Sequence, residues 1–410
     1  MADAFKLVFN TELVNCLAQH FSKLNKVAGL SFDKEGFIHL ACNGLDELEL
    51  KARSTLIQSA LSTSLQGNIK DLCRALPNIL HPDSTSSISA ARDPALGLAG
   101  WSLMPVGNFL AEKFLNTKQS SHEKLSLNSA GELHKDFHTE LIALLECMRA
   151  ITSRFSAEFC VRPLIAAFPN ESLSFLTQIA ESDNEHERRW ATEGCRPRLP
   201  WGIALPKLIR DPSYTLPILN KLAFDDSLYV RTSVANHLND YSREHPDHIS
   251  STVGQWKDDF RKQSSIKRAI TPAQHSSMLK RACRNNLKNG HPATLSLFGF
   301  NAAHIKLSAT FPTAVKEGES AVLNICVSST SDQAQPLMID YELGYMRANG
   351  RLSFKVFKGK EINLAAHANH QLRKTVSFKP VTTRRYYPGK HLVRIKVNGK
   401  LFDELSFDLL

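Results

Sequence analysis

Between Arg188 and Gly202 the chain reads Arg-Arg-Trp-Ala-Thr-Glu-Gly-Cys-Arg-Pro-Arg-Leu-Pro-Trp-Gly, the least ordinary run in the sequence. Gly194 predicts a helix end, and Pro197 and Pro200 stiffen the loop that follows. That stiffness holds Trp201 in a fixed turn, with Glu193 at the loop's entry and Arg189, Arg196 and Arg198 around it. A rigid, flat aromatic surface suits contact with a nucleotide, although a Trp in a helix connection also serves for packing between helical repeats. Other chemistries find little support. The eight cysteines, from Cys16 to Cys326, form no C-x-x-C pair and no closely spaced Cys/His quartet, so they read as reduced core thiols. The expectation is no metal and no cofactor.

The elements that must position this loop are helical. Residues 1 to 303 carry apolar side chains at helical spacing, as in Leu13, Leu17 and Phe21 or Leu56, Ala60 and Leu61. Two Ser-rich segments, 81 to 95 and 117 to 133, lack an apolar face and read as long loops. From His304 the hydrophobic period drops from 3.6 to 2, as in Leu392-Val393-Arg394-Ile395-Lys396-Val397, and about seven strands follow. Asn398-Gly399 marks a type I′ hairpin. The expected organisation is therefore mainly α: a HEAT-like helical-repeat solenoid over 1–303, then an immunoglobulin-like β-sandwich over 304–410. Only Cys326 lies in the sandwich, which excludes an inter-sheet disulfide, and Tyr387 is the candidate for a structural tyrosine at its corner. Within the helical part, Asp183-x-x-x-x-Arg188 and Asp226-x-x-x-x-Arg231 recur at an offset of 43 residues. That offset fits a HEAT or armadillo unit in which Asp and Arg of successive repeats bridge.

Over 410 residues the formal charge is +10, with a pI near 9.2, which favours a polyanionic partner without naming it. The charge is uneven. Residues 304–410 carry a net of +7, and 243–290 a net of +6 through residues such as Lys267, Arg268, Arg281 and Arg284, so the remainder is mildly acidic. Two basic regions suit a duplex gripped through its phosphates, with Arg189, Arg196, Arg198, Arg281, Arg284, Arg384, Arg385 and Lys390 as candidate DNA contacts. No long apolar run and no basic, apolar leader occurs, so no membrane is expected to be involved.

The Arg188–Gly202 run resembles the bacterial DNA alkylation-repair glycosylases called AlkC. So do Phe155-Ser156-Ala157-Glu158-Phe159-Cys160-Val161-Arg162-Pro163, Val230 to Asp240 and Asn289-Gly290-His291-Pro292. These are AlkD-like HEAT-repeat proteins, one branch of which carries a C-terminal immunoglobulin-like domain. The likeness runs from about Glu49 to the last strand, with both Ser-rich segments as insertions. It implies a glycosylase that hydrolyses the N-glycosidic bond of cationic alkylated bases, such as N3-methyladenine or N3-methylcytosine, in duplex DNA, without full base flipping and without a metal. It implies Glu158, Glu193 and Asp240 as the catalytic acids and Trp201 as the lesion-facing tryptophan. It also implies a monomer of the bacterial cytoplasm, at the nucleoid when bound to DNA.

The same acids admit a plain reading as surface ion pairs. Glu158 has Arg154 and Arg162 four residues either side, Glu193 has Arg189, and Asp240 has Arg243 three residues on. A non-enzymatic HEAT-repeat adaptor would explain the repeats and the charge, but not the rigid Glu193–Trp201 connection. A polysaccharide or phosphate-ester hydrolase would need paired carboxylates or metal ligands that no motif supplies.

Overall fold

A computed structural model describes residues 6–87, 90–120, 135–262, 270–382 and 384–410. Helices begin where the sequence provides caps. Asn10, Asp33, Asn68 and Asn184 each accept a hydrogen bond from a first-turn backbone N–H, opening Thr11–Ser22, Lys34–Cys42, Ile69–Ala75 and Glu185–Gly194. Their apolar stripes are buried, Val14, Leu17 and Phe21 almost completely. The helical region departs from the all-α expectation at one point. Ser31–Phe32 (β1) pairs antiparallel with Leu65–Gln66 (β2), strands too short to show a period. Residues 81–87 and 90–95 form neither helix nor strand, as expected, and residues 88–89 lie outside the described residues. In the second Ser-rich segment, residues 117–120 continue helix Leu103–Ser120 rather than looping, and 121–133 lie outside the described residues.

The 43-residue repeat has a physical counterpart. Arg188 donates from Nη1 to the carbonyls of Ser182 and Asp183, and Arg231 does the same to Asp225 and Asp226. Each arginine thus closes the turn before its own helix, Glu185–Gly194 or Leu228–Asp240. Arg188 also reaches forward to the next repeat, at 2.7 Å to Asp225 and 3.1 Å to Asp226, with Arg188 and Asp225 both buried. Asp225, which the repeat pattern did not single out, is the nearer partner.

Eight strands form the sandwich: Ile305–Thr310 (β3), Ala314–Val315 (β4), Ser320–Ser329 (β5), Gln335–Met346 (β6), Leu352–Leu364 (β7), Asn369–Ser377 (β8), Gly389–Val397 (β9) and Lys400–Leu409 (β10). One sheet has the order β4-β10-β9-β6-β7 and the other β3-β5-β8, antiparallel throughout except β4 with β10. Leu323, Ile325, Val327, Ile339, Val393, Ile395 and Val397 fill the space between them. Asn398 and Gly399 both have positive φ, 49° and 79°, as a type I′ hairpin requires. The corner tyrosine is Tyr386 rather than Tyr387. Tyr386 is buried and donates to the Ser377 carbonyl at 3.5 Å, while Tyr387 is only half-buried, under the Arg385 guanidinium.

The described residues pack into two compact units: those up to Tyr241 with 270–278, and 242–262 with 279–410. The change from helix to strand near 304 is thus not where packing divides the chain. In the second unit, Gly290 and Gly399 approach so closely that a Cβ on Gly399 would lie 2.8 Å from the Gly290 Cα. Lys280 meets Glu361 at 2.8 Å, and β6 is buried from Leu337 to Tyr345 on both faces, enclosing Asp340 and Glu342.

Candidate active site

Three stretches of the first unit meet at one place. Glu193 and Arg189 lie one turn apart on helix Glu185–Gly194, Asp240 ends the helix Leu228–Asp240 packed against it, and Glu158 precedes helix Val161–Ala167. Their side chains form an unbroken row, Glu158, Arg189, Glu193, Arg196, Asp240. Arg189 pairs with Glu158 and lies 3.6 Å from Glu193. Arg196 donates to Glu193 at 2.8 Å and grips Asp240 with two parallel bonds of 2.9 Å. Ser156 donates to Glu158 at 2.8 Å, and Ser233 donates to the second oxygen of Glu193. The Arg189 guanidinium also lies over the ring of Tyr229, 5.2 Å from its centroid.

None of the five side chains is more than 14% exposed, so these are buried ion pairs and not the surface pairs that local spacing suggested. The arginines are different ones too. Arg154 donates to the carbonyls of His81 and Ala150, Arg162 to those of Gly194 and Ile203, and Arg243 is largely exposed beside Glu244. Only Arg189 of the sequence neighbours takes the expected partner.

The row biases its members differently. Burial pushes the Glu193 carboxyl up, but Arg189, Arg196 and the Ser233 hydroxyl outweigh it and hold the group below its ordinary range. Burial wins at Asp240, whose carboxyl is raised despite Arg196 and the Arg198 backbone N–H. Burial likewise opposes charge on Arg189 and Arg196, but the flanking carboxylates keep both guanidiniums above their ordinary values. Neighbouring carboxyls pushed in opposite directions are the pattern by which environment separates the roles of two acids, and structural ion-pair networks produce it too.

Glu158 and Glu193 open into a pocket of about 420 Å³ walled by Trp101, Phe155, Phe159, Tyr229 and Trp201. Trp201 is 58% exposed and sits at φ 68°, a left-handed conformation rare for a residue with a Cβ. Its carbonyl accepts a hydrogen bond from Lys51 at 2.9 Å. The pocket therefore combines anionic oxygens and aromatic faces, both of which attract a cation, with the Arg189 and Arg196 guanidiniums that line it too. Among the described residues no cluster of His, Cys, Asp and Glu could hold a metal, and no helix is long and apolar enough to cross a membrane.

The remaining candidates separate by environment. Arg189 and Arg196 face carboxylates, whereas Arg198 is exposed on the Trp201 loop. Arg281, Arg284, Arg385 and Lys390 are exposed on the second unit, and Arg384 is half-buried, 4.0 Å over the Tyr345 ring. Lys267 and Arg268 lie outside the described residues. Sequence reasoning missed Tyr229, Ser233, Trp101 and Arg162, which become visible only when the helices are packed.

Residues 305–410 match the family model described as "Uncharacterised protein YhaZ, C-terminal Ig-like domain". The YhaZ protein of Bacillus subtilis strain 168 is 37% identical over 268 residues, covering 65% of this chain and 71% of that protein. Among solved structures, the Pseudomonas fluorescens alkylpurine DNA glycosylase AlkC, bound to DNA containing an abasic site analog, matches with a TM-score of 0.75 and 28% identity. That likeness covers 99% of both chains. By its identity to YhaZ over most of that protein and by its C-terminal domain the chain belongs to the YhaZ family, and along its whole length it has the fold of AlkC.

Proposed function

We propose that this protein acts in DNA alkylation repair as a monofunctional glycosylase, releasing cationic alkylated bases such as N3-methyladenine or N3-methylcytosine from duplex DNA without fully flipping them. The observation that carries the reading is the buried row from Glu158 to Asp240 opening beside the exposed Trp201, in a chain similar along its whole length to a DNA-bound alkylpurine glycosylase.

The chemistry asks for such a row. A base alkylated at a ring nitrogen already carries positive charge, so breaking its bond to C1′ returns the electron pair to the base and releases it neutral. No strong general acid is needed. The barrier is the positive charge that develops on the deoxyribose, and carboxylates fixed beforehand stabilise it without reorganising. Glu158 and Glu193, at the pocket, face the sugar in this reading. Asp240, more readily protonated, orients the water whose oxygen bonds to C1′ and accepts its proton. Arg189 and Arg196 keep the carboxylates charged and aimed. Arg198, Arg281, Arg284, Arg384, Arg385 and Lys390 contact phosphates, which adds affinity without choosing the lesion.

The test is to incubate the protein with duplex DNA carrying methylated bases and to chromatograph what is released. Free methylated bases with the strand left unbroken are expected. Their absence, at concentrations where the DNA is bound, would leave a DNA-binding adaptor.

A further inference from the structure

Arg162 is completely buried, yet among the described residues no carboxylate lies within ion-pair distance of it. A buried cation without an anion is costly, so a residue present only to fill space there would be apolar. Its N–H groups go to backbone instead. Nε and Nη2 donate to the Ile203 carbonyl, the former at 2.7 Å, and Nη1 donates to the Gly194 carbonyl at 3.0 Å. Gly194 and Ile203 bracket the loop that carries Trp201. The loop also lies directly on the arginine, since a Cβ on Gly202 would stand 3.0 Å from the Arg162 Cδ and Nε.

We infer that Arg162 is a positioning residue, a guanidinium clamp that fixes both ends of the 194–203 loop and so holds Trp201 in its left-handed, outward-facing conformation. This rests on the proposed function for its catalytic consequence, although the clamp itself does not. The left-handed backbone at Trp201 opposes the placement, and the fork of N–H groups supplies the restraint. Lysine keeps the charge but offers one compact donor head, which cannot span two carbonyls in the same way.

The test joins two readouts on the full chain. Labelled with 5-fluorotryptophan, the protein has four residues to report, Trp101, Trp190, Trp201 and Trp256, and a Trp201→Phe variant assigns the relevant fluorine resonance. Arg162→Lys should shift or broaden the Trp201 resonance while Trp190 and Trp256 stay in place. In single-turnover release of a methylated base, Arg162→Lys should lose about tenfold to a hundredfold, the scale of a small misplacement of a contacting group. The same substitution made in a Trp201→Ala background should lose little more. An unmoved Trp201 resonance, or an equal loss in both backgrounds, overturns the clamp. Should Arg162→Lys fail to fold, Gly202→Ala, which crowds the same contact, must move the Trp201 resonance or the inference falls. If the unaltered protein releases no base, the proposed function fails, and the fluorine spectrum still decides the clamp.

Discussion

Two regions of this chain use charge in opposite ways. Around Glu193, charged side chains are buried, alternate in sign and are fixed by bonds from three separate stretches of chain. In the sandwich the space between the sheets is aliphatic and aromatic, with buried Asp340 and Glu342 on β6 as exceptions and Glu342 paired with Lys396, while Arg385 and Lys390 lie on the surface. A buried charge costs desolvation and repays it only with a fixed partner, so it brings direction and the ability to meet a particular developing charge. An exposed charge costs almost nothing and brings attraction without geometry. On the proposed function, the difference separates the part assigned to chemistry from the part assigned to phosphate contact.

The sharpest way to break that comparison is to strand a buried charge. The double substitution Asp225→Ala with Asp226→Ala removes both carboxylates paired with buried Arg188, at 2.7 and 3.1 Å. A loss of about 3–5 kcal/mol in unfolding free energy is expected, read from urea denaturation. A loss below about 1 kcal/mol would class these pairs with surface ones. Titration gives the next largest effect. With its carboxyl raised by burial, Asp240 should lose its charge at a higher pH than an ordinary aspartate, so the acid limb of the base-release rate should be displaced upward and disappear from the residual activity of Asp240→Asn. Glu193 has the opposite sign. Its folded pKa is depressed, so its stabilising contribution is complete above the unfolded value and is lost only as pH falls through the lower folded one. The smallest effect belongs to the sandwich. Each of Arg385→Ala and Lys390→Ala should reduce the salt slope of DNA binding by about one and leave base release from the bound complex unchanged. A changed release rate would give the sandwich a part in the chemistry. Removing 304–410 outright is a poorer test, because residues 242–262 and 279–303 pack in the same unit as the strands.

What could be read from sequence follows the range of the forces involved. The switch of period near His304 and the Asn398-Gly399 turn are local, set by side-chain alternation and by φ, and both appear where expected. The strand pair β1–β2 has two residues a side and leaves no pattern. Tyr386 and Tyr387 differ by one position, which is enough to exchange a buried place for a half-buried one, and only the packed sandwich says which faces in. The site was half legible. Likeness to a family pointed to Glu158, Glu193, Asp240 and Trp201, and the fold gathers the acids into one row with Trp201 at the same pocket as two of them. Their partners were not legible, because Arg154, Arg162 and Arg243 stand at helical spacing from the acids as Arg189 does. Three-dimensional packing sends Arg154 and Arg162 to backbone carbonyls and Arg243 to the surface.

If the row serves a developing sugar cation and not the fold alone, its charge must matter to base release beyond what it adds to stability. Glu193→Gln and Asp240→Asn keep size and one accepting oxygen while removing charge, and single-turnover release of a methylated base, measured beside DNA affinity and thermal stability, separates the two roles. Release should slow by roughly a hundredfold or more, with affinity preserved or increased because fewer anions face the phosphates. Release at the original rate from a protein that merely melts earlier would contradict the catalytic role and leave the row as a structural tie between helices.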